Sequence, residues 1–175
     1  MRSIVTHLKE IFLGNTVQSF VKIMKIIIRL LVMGFIGFGL VGCTPCFCDH
    51  YIFSEVDGVV HLNGKPLPNV EVIQYYRSEE YNQSATNPTT TDNQGKFHFP
   101  AVTKYAFFGY PVEPVNEQKI TIVHNNTEYK GWWYFKHNYD DNGEIDKKIS
   151  LTCDLSAPDQ EREGRSGPVA GICDF

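Results

Sequence analysis

The sequence predicts an all-β fold, a small antiparallel β-sandwich that follows a short apolar N-terminal segment. Three observations point there. Short runs of alternating apolar and polar residues recur after residue 55, among them Val70-Glu71-Val72-Ile73-Gln74 and Lys96-Phe97-His98-Phe99. Tight-turn signals stand between such runs, at Asn63-Gly64, Asn125-Asn126 and Asn142-Gly143. No helical period stands out after residue 43. Many short strands punctuated this way fit two packed sheets.

The elements follow in order. Residues 43–54 read as a short tether, and the domain proper starts near Glu55. Residues 56–62 carry Val59-Val60-His61-Leu62 and read as a strand that turns at Asn63-Gly64. Residues 70–76 form a second strand, with Val70, Val72 and Gln74 on one face. Residues 77–92 are polar and read as a long loop ending in the turn Asp92-Asn93-Gln94-Gly95. Phe97 and Phe99 then face inward from a short strand. Residues 104–114 are aromatic and interrupted by proline, so a packed loop is expected. Residues 119–124 and 128–136 make a hairpin, and residues 144–153 the last strand, with Ile145, Ile149 and Leu151 as its apolar positions. The sandwich domain thus spans 55–154. Residues 155–175 form a tail, mobile over 155–168.

At the other end, Leu40-Val41-Gly42-Cys43 closes an apolar run that carries four glycines over residues 30–42, preceded by Lys25 and Arg29. The run is too short and glycine-rich for a membrane span of about 20 apolar residues. This stretch is similar to a bacterial lipobox. That resemblance implies a signal segment over residues 1–42, cleavage before Cys43, and a lipid carried on Cys43. It places the domain in the cell envelope facing the periplasm. With Thr44 after the cysteine, it implies sorting to the outer membrane, because retention at the inner membrane uses Asp there. A start at Met24 gives a signal of ordinary length, and translation is expected to begin there.

Charge and cysteines fit that address. Five of the 16 Lys/Arg and one of the 20 Asp/Glu fall within residues 1–42, so the net charge of −4 becomes −8 for the remainder. An acidic domain is a poor nucleic-acid binder, and membrane contact is expected from the lipid alone. Beyond Cys43 stand Cys46, Cys48, Cys153 and Cys173. An even set in an oxidising compartment suggests two disulfides, with three pairings open. Cys153–Cys173 would tie the tail to the last strand. Cys46 and Cys48 are too close to bridge without strain.

Candidate chemistry is sparse. Cys46, Cys48 and His50 have the donor types zinc or copper takes, but exported thiols oxidise, and disulfides beside an incidental histidine are expected. Asp140-Asp141-Asn142-Gly143-Glu144 offers oxygen ligands but lacks the length of an EF-hand loop, so a solvated turn is expected. No Gly-x-Ser-x-Gly is present, and His61, His98 and His124 sit on or beside strands. Neither a metal nor a cofactor is expected, and no catalytic residue. In Trp132-Trp133-Tyr134-Phe135, alternate rings point to opposite faces. One face fills the core. The other is either covered by a loop such as 106–110 or left open as a binding face, with Trp132, Trp133 and Tyr134 as its candidates.

The segment from Gly58-Val59-Val60 through Gly64-Lys65-Pro66 to Val70-Glu71-Val72, followed by Thr91-Asp92-Asn93-Gln94-Gly95-Lys96-Phe97, resembles the carboxypeptidase regulatory-like, transthyretin-like superfamily. Within it the chain is similar to small bacterial lipoproteins of the DUF6795 type. The likeness covers roughly residues 56–102 and implies a transthyretin-like or immunoglobulin-like sandwich. One branch of the superfamily hydrolyses 5-hydroxyisourate with a C-terminal Tyr-Arg-Gly-Ser. Here Tyr76-Arg77-Ser78 lies mid-chain, so that activity is not implied. The sequence points to a non-catalytic, lipid-anchored interaction or structural module with a protein or glycan partner. Two alternatives are an inhibitor or immunity protein that caps its target with the 77–92 loop, and a glycan- or peptidoglycan-binding module.

Overall fold

The structure is a computed structural model that describes residues 24–33, 45–108 and 112–175. Contacts divide the chain into two units, Met1–Thr44 and Pro45–Phe175. In the first, residues 24–33 form helix α1. Among the described residues no helix is long and apolar enough to cross a membrane. The Leu40–Cys43 motif and the lipidation expected at Cys43 lie outside the described residues, as does the side chain of Cys46.

The second unit is all β. Its strands are β1 (Pro45–Phe53), β2 (Val56–Leu62), β3 (Lys65–Pro66), β4 (Glu71–Ser78), β5 (Gln83–Thr90), β6 (Lys96–Phe99), β7 (Val102–Phe108), β8 (Asn116–His124), β9 (Thr127–Lys136), β10 (Ile149–Asp154), β11 (Gln160–Gly164), β12 (Gly167–Gly171) and β13 (Cys173–Asp174). A six-stranded antiparallel sheet runs β11-β12-β9-β8-β4-β5. A second sheet runs β13-β10-β2-β3, with β6 also on β2. Strands β1 and β7 form a separate antiparallel pair. Among the described residues one pairing is parallel, β10 on β2.

Alternation builds the core. Val72 and Tyr76 from β4, Ile120 and Ile122 from β8, and Trp132 and Tyr134 from β9 point inward from the large sheet. Val56, Val60, Phe97, Phe99, Ile149 and Leu151 meet them from the second sheet, which makes the sandwich. Burying such side chains is the main stabilising term, about 1.5–3 kcal/mol each. The Gly-x-Val and Gly-x-Phe patterns have a physical cause here. Gly58 pairs with Phe97, and a Cβ on Gly58 would lie 2.2 Å from the end of that ring. Gly95 adopts φ +74° in the turn that launches β6. Asp92 accepts hydrogen bonds there from the amides of Gln94 (2.7 Å) and Lys96 (2.9 Å).

Several expectations need correction. The tether is strand β1, which buries His50, Ile52 and Phe53. The loop expected over 77–92 is mostly strand, since β4 runs on to Ser78 and β5 pairs with it from Gln83 to Thr90. It reads as loop because β5 is a polar edge strand with Pro88 in it, and an edge needs no apolar alternation. The packed loop at 104–114 begins as β7. The last-strand run starts only at Ile149, because 140–146 is turn. The tail is not a mobile segment: β11 and β12 form a hairpin on β9, and Val169, Ile172 and Cys173 join the core. Cys153 and Cys173 are opposed across β10 and β13 and form a disulfide.

Candidate functional site

The outward face of the six-stranded sheet carries the open aromatic strip. A bulge beside Gly131 pairs Trp132 with Ile120 and Lys130 with Thr121. Trp132 and Tyr134 therefore turn inward, at 0% and 1% exposure, and do not belong to a binding face. Trp133 and Phe135 turn outward, at 38% and 36%, with ring centroids 5.5 Å apart in an edge contact. The cross-strand row through Trp133 runs Tyr75, Lys119, Trp133, Ala170, Glu161. The sequence set Phe135 on the same face as Trp133 without naming it a binding candidate, and Tyr75 was missed. The signal for Tyr75 was alternation along β4.

Polar contacts hold these rings in place. The Trp133 indole N–H donates to Glu117 Oε1 at 3.2 Å, and Lys119 Nζ lies 2.8 Å from the same oxygen. Burial pushes the Glu117 carboxyl up, but hydrogen bonds from Lys119 and Trp133 outweigh it and hold the group below its ordinary range. Lys119 also sits over the Tyr75 ring at 5.3 Å, and Lys130 over Trp133 at 5.9 Å. Beside Trp133 and Phe135 the small residues Gly167, Pro168 and Ala170 leave a groove of about 350 Å³, bounded beyond them by Glu161. Of the cover expected from residues 106–110, Ala106 and Phe107 do not line this groove; the β11–β12 hairpin does. The chemistry on offer is ring stacking beside a charged, hydrogen-bonding rim, to which His137 and Ser166 also belong.

A second polar centre lies inside the sandwich. Lys136 and Glu144 are both fully buried, with Nζ 3.2 Å from Oε1. Glu144 accepts from the Ser54 amide (3.0 Å), the Ser54 hydroxyl (2.7 Å) and the Gln118 amide nitrogen (2.7 Å). Lys136 also donates to Ser54 Oγ (3.2 Å) and to the Asp140 carbonyl (2.7 Å). Burial pushes the Lys136 ammonium below its ordinary range, against the opposing pull of Glu144. Glu144 was expected in a solvated turn. Instead it pins that turn to the bend between β1 and β2.

The remaining candidates are dispersed. Cys48 is disulfide-bonded. His50 is 2% exposed, stacked on Tyr139 at 3.6 Å, with Nδ1 2.7 Å from the Tyr81 hydroxyl. Burial lowers its pKa, while Glu80, which accepts a hydrogen bond from Tyr139, pulls it up. His98 pairs with Asp57 at 2.9 Å, and Lys148 bridges Asp57 (2.7 Å) and Glu55 (3.0 Å). Donor atoms of Glu55, Asp57 and His98 lie within 4.8 Å of one another, but Lys148 already supplies the positive charge there. His61 is half-buried on β2, and the His124 ring lies 3.0 Å from the side chain of its neighbour Asn125 in the β8–β9 turn.

No curated protein and no solved structure matches this chain. A family match covers residues 56–158, more than half of the chain, from β2 through the end of β10. On that match the chain belongs to the family described as domain of unknown function DUF6795.

Proposed function

We propose that this protein is a lipid-anchored, non-catalytic module of the bacterial envelope, with a transthyretin-like sandwich that engages a partner through the outward face of its six-stranded sheet. The observation that carries the reading is the pair Trp133 and Phe135, turned to solvent beside the groove along β12 while Trp132 and Tyr134 fill the core. The lipobox-like Leu40–Cys43 supports the anchor and the periplasm-facing address. The Cys153–Cys173 disulfide is in keeping with an oxidising compartment.

Two measurements test this. Intact mass of the membrane-extracted protein reads the anchor: a chain beginning at acylated Cys43 supports it, and an unprocessed chain removes it. Cross-linking in living cells reads the face. Adducts formed by the wild-type chain should disappear in a Trp133→Ala/Phe135→Ala variant; adducts that persist unchanged remove this face from the interaction.

A glycan partner is a second reading, favoured by the aromatic rings beside an open groove. A saturable shift of Trp133 emission on adding soluble cell-wall fragments, absent with Trp133→Ala, would support it. The inhibitor reading expected a flexible 77–92 loop, and those residues form the β4–β5 hairpin.

A further inference from the structure

We infer that Phe47, Tyr105 and Phe107 form an aromatic tip that seats in the interfacial layer of a lipid bilayer. The inference rests on the lipid-anchor reading and goes beyond it, because the sequence led us to expect membrane contact through the lipid alone.

The tip is built by the β1–β7 pair. Ala106 is buried, so its neighbours Tyr105 and Phe107 share the outer face of β7, at 65% and 54% exposure. Opposite them, the register of β1 slips between Pro45 and Cys48. Within that bulge Phe47 adopts φ +45°, a conformation that costs a bulky L-residue energy. Bulges re-aim side chains, and this one leaves Phe47 56% exposed with its ring 4.7 Å from that of Phe107. Strained backbone thus holds a phenylalanine in solvent against a second exposed phenylalanine, with a tyrosine beside them.

The length of chain to the anchor names the occupant. Phe47 stands four residues after Cys43. Four residues span at most ~14 Å, about half the hydrocarbon thickness of a bilayer. A lipid on Cys43 therefore keeps this tip within reach of the membrane surface at all times. Phenylalanine and tyrosine are side chains that partition to that layer, the tyrosine with its hydroxyl among the headgroups. The domain's excess of negative charge gives no attraction to anionic lipid, so the tip acts by burying apolar surface, and zwitterionic lipid suffices.

The test uses the full, acylated chain in phosphatidylcholine vesicles whose acyl chains carry bromine near the headgroup. In a Trp133→Phe background, a Phe107→Trp substitution places a reporter in the tip, with buried Trp132 as internal reference. The expected result is blue-shifted reporter emission, quenched several-fold more than that of Trp132. A Tyr105→Trp variant should behave likewise, which guards against one substitution disturbing the bulge. Unquenched reporters on a chain whose mass shows acylated Cys43 overturn the inference and leave the anchor standing. An unprocessed chain overturns the anchor itself. A blue shift that grows with protein concentration in the absence of vesicles assigns the tip to a second copy of the chain and also overturns it.

Discussion

Lys136 Nζ lies 3.2 Å from Glu144 Oε1 with neither side chain exposed, and Ser54 bonds to both. The three residues come from the end of β9, the turn before β10, and the bend between β1 and β2. Removing one partner strands the other charge in the interior. Glu144→Gln or Lys136→Met should each lower unfolding stability by about 3–5 kcal/mol, read from urea midpoints. The double variant Lys136→Met/Glu144→Leu should recover much of that loss, since no charge is then left unpaired. A double variant as unstable as the sum of the singles would contradict this account.

Trp132 and Trp133 are adjacent and physically opposite. Trp132→Ala should cost about 3–5 kcal/mol, because a fully buried ring leaves a cavity among Ile120, Tyr134 and Phe175. Trp133→Ala should cost about 1 kcal/mol or less, its ring being over a third exposed. Emission gives an independent check. Trp132→Phe should leave a red-shifted spectrum and Trp133→Phe a blue-shifted one.

How much of this was legible in the sequence depends on the range of the interaction. Strands with alternation were readable, since Val72, Phe97, Phe99 and Ile120 announce their inward face locally. The turn at Asn63-Gly64, with φ of +52° and +75°, was readable for the same reason. The opposite facing of Trp132 and Trp133 followed from their adjacency. Strand β5 was hidden because an edge strand has little apolar pattern to show, and β11–β12 because Pro168 and three glycines resemble a loop. Glu144 was hidden for a deeper reason. Its burial is decided by Ser54 and Gln118, 90 and 26 residues away, and no local window contains them.

The Cys153–Cys173 bridge closes a loop of 20 residues. Cross-linking that span removes conformational freedom from the unfolded chain, worth about 3 kcal/mol in the chain-entropy account. Replacing both cysteines by alanine should lower the urea midpoint by a corresponding amount. The loss should be uneven within the fold. The bridge holds β13, and the adjacent Ile172 amide bonds the Lys130 carbonyl at 2.9 Å, so amide exchange in β12 and β13 should accelerate more than in β2 or β4. Uniform acceleration across all strands would argue that the bridge acts on global unfolding alone.

Asp154 ends β10 and clasps the turn between β2 and β3. Its carboxylate accepts from the Ser156 hydroxyl (2.5 Å), the Ser156 amide (2.9 Å), the Gly64 amide (2.6 Å) and the Asn63 amide (3.1 Å). The hydrogen bond from the Ser156 hydroxyl is the largest cause of a pKa lowered from 3.8 to about 2, followed by the backbone amides. The sign follows from linkage. Above pH 3.8 the group is ionised in folded and unfolded chains alike, and its stabilisation is fully present. As pH falls from 3.8 through about 2, the unfolded chain takes up the proton first and that stabilisation is lost. Asp154→Asn should therefore lower the urea midpoint at neutral pH. The gap to wild type should close as pH drops through this window. Asp57 and Asp92, also lowered, lose stabilisation in the same direction, so the comparison with Asp154→Asn is what isolates this carboxylate. Two stability curves that stay parallel down to pH 2 would mean that the clasp holds the turn equally well without its charge.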